Sequence, residues 1–220
     1  GYPIMTHADA GPWMVDLAHL QKGDWGLYHE LGHNHQDGRW TFSGTGEVTN
    51  NVFATLYGGI FLQYHDAPVV SGNIITSGSY IGIEVDYSVN GIQVVKNKIA
   101  LTNGSYGIAV YYSAGGLGDL GNPPRALIAN NFVAVSTAGG IYGIFLYGST
   151  NVDVYDNSVN LSGASAGSIA FYLYQASGNS VNMENNIFSN PGGGYAMYVP
   201  APAGIGLTDY NDLSTSGPTL

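Results

Sequence analysis

Two short elements recur in phase from about residue 60 onward, and a repeat of that kind leaves few folds open. One is a small residue, an apolar residue, any residue, then an apolar residue. It occurs as Gly82-Ile83-Glu84-Val85, Gly107-Ile108-Ala109-Val110, Gly143-Ile144-Phe145-Leu146, Ala170-Phe171-Tyr172-Leu173 and Ala196-Met197-Tyr198-Val199. Its small residues lie 25, 36, 27 and 26 positions apart. The other element is Asn, any residue, then an apolar residue, beginning at Asn97, Asn130, Asn157, Asn185 and Asn211. A unit this short, holding about three strands, cannot bury its own apolar face. Neighbours must stack and share one continuous core.

The expected fold over residues 59–220 is therefore a parallel β-helix of five to six coils. The Asn of each turn is expected in the left-handed backbone region, hydrogen-bonded to the equivalent Asn one coil away. The long interval between Gly107 and Gly143 contains Ser113 to Pro124, rich in Gly, and reads as a loop inserted into one coil.

Residues 1–58 carry a different period. Met14, Val15, Leu17, Ala18 and Leu20 recur at helical spacing. A second helix starts near Asp24, a suitable N-cap, and runs to Asp37-Gly38. A third is expected from Thr45 through Val48, Val52, Phe53 and Leu56, stopped by Gly58-Gly59. The whole chain is then mainly β, with an N-terminal α-helical segment.

Charge narrows the function. Only five of 220 residues are Lys or Arg against 15 Asp and Glu, a net charge of −10. Nucleic acid is excluded as a partner, because affinity for phosphates needs a basic surface that releases counterions. Charged residues are 9% of the chain, well below the usual quarter. A polar but uncharged surface of this kind is common in carbohydrate-facing proteins, and a secreted or cell-surface location is expected. There is no cysteine, so no disulfide framework exists. No apolar run approaches the ~20 residues of a transmembrane helix. The start at Gly1 without methionine reads as a mature or excised piece of something longer.

The chemistry is concentrated in His29-Glu30-Leu31-Gly32-His33 and Glu47. Positions i and i+4 share a helix face, so His29 and His33 can reach one metal ion. Glu47 reads as a third ligand. Glu30 is placed to act as general base in metal-assisted hydrolysis. Asn50, three residues past Glu47, can orient that ligand.

The residues around this motif extend its meaning. They include Gly1-Tyr2-Pro3-Ile4-Met5-Thr6-His7, Gly23-Asp24-Trp25-Gly26-Leu27-Tyr28 and Trp40-Thr41-Phe42-Ser43-Gly44-Thr45-Gly46-Glu47-Val48-Thr49-Asn50-Asn51. Together with the motif they resemble the enhancin-like, mucin-directed zinc peptidases. The resemblance implies a gluzincin-type site, with zinc (Zn2+) on His29, His33 and Glu47 and Glu30 as base. It also implies glycoprotein substrates, mucins among them. Residues 60–220 resemble right-handed parallel β-helix repeat proteins, many of which bind or cleave polysaccharides.

On the repeats, strand alternation puts two columns outward. One is Glu84, Ala109, Phe145, Tyr172 and Tyr198; the next is Asp86, Tyr111, Tyr147, Tyr174 and Pro200. Aromatic faces stack on sugar rings, so Tyr111, Phe145, Tyr147, Tyr172 and Tyr174 are candidate glycan contacts. An aromatic ladder that merely stabilises the sheet is the competing expectation. A lyase would need a basic residue on this face, and Lys96, Lys98 and Arg125 are the few on offer. Two functions from different classes follow. The first is a secreted zinc metallopeptidase acting on glycoproteins. The second is a non-catalytic β-helix, a glycan-binding or structural surface carrying a vestigial peptidase segment.

Overall fold

A computed structural model describes residues 52–54, 59–76, 80–113, 124–174 and 180–217. The chain divides into two compact units, and all described residues fall in the second, Glu47–Leu220. The zinc-motif residues His29, Glu30, His33, Glu47 and Asn50, with the first two expected helices, lie outside the described residues. So does most of the expected inserted loop.

Every described strand runs parallel to its neighbours, and each pairs with the strand three positions further along the chain. This is a parallel β-solenoid with three strands per coil. The first face contains Ile60–Gln63, Ile81–Asp86, Tyr106–Tyr111, Tyr142–Tyr147, Ile169–Tyr174 and Tyr195–Tyr198. The second contains Val69–Ser71, Gln93–Val95, Ala126–Ala129, Val152–Tyr155, Val181–Glu184 and Ile205–Asp209. The third contains Val52–Ala54, Ile74–Thr76, Lys98–Leu101, Phe132–Val135, Ser158–Leu161, Ile187–Asn190 and Asp212–Thr215. The stack is six strands deep on two faces and seven on the third, in line with five to six coils.

Val52–Ala54 corrects one expectation. The third helix was to run through Val52 and Phe53, but these residues form a strand paired with Ile74–Thr76. Extended chain there satisfies the backbone edge of the next strand, which a helix would leave unpaired. Gly59 is likewise a coil position rather than a helix stop. Its amide donates to the Ile81 carbonyl at 3.0 Å.

The core is a set of inward columns, one apolar residue above another. Ile83, Ile108, Ile144 and Phe171 form one column, and Val85, Val110, Leu146 and Leu173 the next. All eight are buried. Burying each such side chain contributes about 1.5–3 kcal/mol relative to leaving it exposed. The small residue that opens the repeat has a steric cause. A Cβ on Gly82, Gly107 or Gly143 would come 2.5, 2.6 or 2.5 Å from a carbonyl oxygen of the next coil. The backbones approach most closely where the chain enters the first face, and only a very small residue fits.

Two polar ladders close the corners. Before the third face, Asn73, Asn97, Asn131, Asn157, Asn186 and Asn211 stack. The backbone amide and Nδ2 of each of the first five donate to Oδ1 of the next at 2.8–3.1 Å. The expected ladder exists, with two corrections. In the Asn130-Asn131 and Asn185-Asn186 pairs, the second Asn is the ladder residue. The left-handed residue is the one before it: Gly72, Lys96, Asn130, Asp156, Asn185 and Tyr210 have φ of +51 to +68°. The side chain of the following residue is thereby turned inward to its partners. After the first face, Ser88, Ser113 and Ser149 form a second ladder. The amides of His65, Ser88 and Ser113 donate to these hydroxyls at 3.1–3.2 Å.

Candidate functional site

The first face carries most of the aromatic surface, and its register places the expected columns as read. Glu84, Ala109, Phe145, Tyr172 and Tyr198 are aligned strand to strand, as are Gln63, Asp86, Tyr111, Tyr147 and Tyr174. Pro200 falls beyond the last strand of this face, which ends at Tyr198. A third column runs beside them, Tyr106 next to Tyr142, with Tyr195 two strands further on.

These rings pack densely on one another. Phe145 sits 5.2 Å from Tyr142, 4.9 Å from Tyr172, 5.6 Å from Tyr111 and 5.9 Å from Tyr147, centroid to centroid. It is only 7% exposed. Phe145 therefore serves the sheet as a stabilising ring and offers no free face to a sugar. Tyr106 and Tyr111 flank the fully buried Ala109 and hydrogen-bond to each other through their side chains. Burial, then the neighbouring phenol, pushes the Tyr111 hydroxyl well above its ordinary range. Tyr111, Tyr147, Tyr172 and Tyr174 are half-buried members of the same cluster.

Beyond the edge of this cluster, the chain turns out of the first face through residues that sequence reasoning did not single out. Tyr64, Tyr87 and Tyr112 stack with centroids 5.3 Å apart at each step and interplanar angles of 21° and 13°. They are 73%, 41% and 41% exposed. All three sit in the left-handed backbone region, at φ of 59°, 46° and 46°. Gly148 continues the column at φ 60°. A Cβ there would meet the Tyr112 ring at 2.7 Å, so glycine lets that ring lie over the next coil. Tyr112 also meets Tyr147 edge-on at 5.0 Å. Its hydrogen bond with Tyr147 helps push its hydroxyl up to about 12. The signal was present in the sequence as Tyr87-Ser88, Tyr112-Ser113 and Gly148-Ser149, each a left-handed residue followed by a ladder serine.

Two carboxylates stand at the N-terminal end of the face. Burial raises Glu84 above its ordinary value, and the charge of Asp86 raises it further. Burial also raises Asp86, and a side-chain hydrogen bond from Gln63 partly offsets the shift. The Oδ1 atom of Asp86 is shielded from solvent and has no hydrogen-bond partner. The Lys and Arg side chains among the described residues lie elsewhere. Lys98 is on the third face, Lys96 at the corner before it, and Arg125 at the second face binds Asp153 at 2.7 Å. No group of three His, Cys, Asp or Glu that could hold a metal exists among the described residues. No helix among them is long and apolar enough to cross a membrane.

The class defined so far is a parallel β-solenoid with one aromatic face. Comparison with known proteins adds to the N-terminal part. Residues 1–59 match the family model described as Peptidase M60, enhancin and enhancin-like. A TRPM8 channel-associated factor homolog of Danio rerio is 46% identical over 56 residues, covering 24% of this chain and 6% of that protein. TRPM8 channel-associated factor 2 of Mus musculus matches equally, at 46% over 56 residues with the same coverage. The Xenopus laevis homolog is 43% identical over the same length. The chain thus spans about 6% of the length of these curated relatives. No solved structure matches it.

Proposed function

We propose that this chain carries the zinc-binding core segment of a secreted or cell-surface metallopeptidase that hydrolyses peptide bonds in glycoproteins such as mucins, joined to a right-handed parallel β-helix. The observation that carries this reading is the occurrence of His29, Glu30, His33 and Glu47 within the stretch that matches the M60 family. The donor set suits zinc, since two imidazoles and one carboxylate leave a fourth position open for water or substrate. Bound there, zinc would lower the pKa of its water and polarise the scissile carbonyl. His29 and His33 would each contribute a ring nitrogen and Glu47 an oxygen. Asn50 would orient Glu47. Glu30 holds the proton released on attack and delivers it to the leaving amine nitrogen.

A second reading is a non-catalytic solenoid, glycan-binding or structural, with a vestigial peptidase segment. The relatives' name, which states association with a channel, and the exposed tyrosines favour it.

Elemental analysis separates the two. The first reading expects about one zinc per chain, lost in His33→Ala and kept in Glu30→Gln, with mucin cleavage abolished in both variants. A wild-type chain that takes up no zinc at micromolar supply would leave the second reading standing.

A further inference from the structure

We propose that the Tyr64–Tyr87–Tyr112 corner and the Glu84–Asp86 pair beside it form a binding surface for a neutral, hydroxyl-rich glycan, and that the same surface rejects acidic glycans. The proposal rests on the solenoid being a glycan-facing surface. It moves that role from the packed centre of the first face to its edge.

The aromatic part of the argument begins with backbone strain. A left-handed conformation penalises any residue with a Cβ, and glycine, asparagine or aspartate fills it most cheaply. The corner before the third face follows that rule at Gly72, Asn130, Asp156 and Asn185 and departs from it at Lys96 and at Tyr210, which has no stacked ring beside it in the neighbouring coil. The tyrosine corner breaks it three times in succession and leaves all three rings substantially exposed. Burial does not explain such a choice. A ligand that takes up ring surface and phenol hydroxyls together does.

The polar part identifies the ligand. An apolar protein partner would bury the phenols and two carboxylates without compensating hydrogen bonds, which is strongly unfavourable. A uronate or sialylated chain would bring a negative charge against Glu84 and Asp86, with no Lys or Arg among the described residues on this face and one histidine, His65, at its corner. Neutral sugars present both requirements: C–H faces for the rings and hydroxyl donors for the carboxylates. The Oδ1 of Asp86, without a partner in the protein, is an acceptor for such a donor once side chains adjust.

The test uses the full chain carrying Glu30→Gln, so that binding is read apart from peptide hydrolysis. Short linear neutral oligosaccharides (gluco-, manno- and galacto-) and an oligogalacturonate of matched length are titrated by calorimetry. At least one neutral oligosaccharide is expected to bind and the galacturonate not to bind. Tyr87→Ala is expected to weaken binding about tenfold. Tyr64→Ala, at the most exposed ring, should weaken it in a chain whose thermal midpoint falls only slightly, by the loss of one ring contact. Glu84→Gln with Asp86→Asn should admit the galacturonate. Three outcomes overturn the proposal: no neutral oligosaccharide bound at about 10 mM, galacturonate bound as tightly by the unaltered surface, or binding indifferent to both tyrosines. If no saccharide of either charge binds, the glycan-facing reading fails as well. Glycan binding in a chain without zinc would leave this proposal intact while the peptidase reading fell.

Discussion

Two corners of the solenoid are built to the same plan and used differently. Each has a left-handed residue followed by a polar side chain that ladders from coil to coil. At the asparagine corner the left-handed positions are mostly Gly, Asn or Asp, and every central ladder amide is buried and hydrogen-bonded. At the serine corner the ladder is also buried, but three of its four left-handed positions hold Tyr64, Tyr87 and Tyr112, with rings in solvent, and only the fourth is a glycine, Gly148. The ladders are structural at both corners. The difference lies in the residue before each ladder, and it separates what the coil requires from what it merely carries.

The comparison breaks most easily at its structural end. Asn131 Oδ1 accepts from the amide and Nδ2 of Asn97, and Asn131 Nδ2 donates to the Val94 carbonyl at 2.7 Å and to Asn157 Oδ1 at 3.0 Å. Asn131→Ala strands two buried donors and deprives one buried carbonyl of its partner. At about 1–3 kcal/mol for each group left unpaired, a loss of about 3 kcal/mol or more is expected in urea unfolding. A loss below about 1 kcal/mol would mean that the ladder fills space without holding the coils.

Much of this architecture was legible before any coordinates. The small residue at Gly82, Gly107 and Gly143 recurs because the next coil's carbonyl leaves no room for a side chain, and steric demands of that kind write themselves into sequence at a fixed period. The Asn ladder was visible for the same reason. Its register slipped at Asn130-Asn131 and Asn185-Asn186, where two adjacent asparagines fit one pattern and only the backbone conformation distinguishes them. Strand alternation placed Phe145 outward correctly, yet it does not show how high the neighbouring rings rise, and Phe145 turned out to be covered. The tyrosine corner escaped because alternation stops where a strand stops. Nothing in a period of two anticipates a left-handed tyrosine. The zinc motif was legible as a motif alone.

The carboxylates sharpen the functional end. Glu84 and Asp86 both have pKa values raised in the folded chain, mainly by burial. Between the ordinary values of 4.5 and 3.8 and the raised folded values, the folded state therefore binds more protons than the unfolded one. Their ionised forms weaken the fold at neutral pH, and stability is recovered as pH falls through the folded pKa values. Glu84→Gln with Asp86→Asn should be more stable than wild type at pH 7, with the gap narrowing as pH approaches 4.5. Urea midpoints across that range measure it. A gap that does not change with pH would mean that charge at these positions is not the source of the instability.

The smallest expected effect is the most discriminating. In Tyr87→Gly, relief of the left-handed strain contributes about 1–2 kcal/mol in favour of the variant. Loss of the ring contacts with Tyr64 and Tyr112 removes about 0.5–1.5 kcal/mol for each pair. The opposing terms leave a net change between a gain of about 1 and a loss of about 2 kcal/mol, smaller than the loss expected at Asn131. Thermal or urea unfolding that stays near the wild-type midpoint would show that the tyrosine is dispensable to the coil. Its retention at a strained, exposed position would then need another cause, which binding supplies. A loss as large as that at Asn131 would instead make the tyrosine stack a third structural ladder and erase the contrast between the two corners.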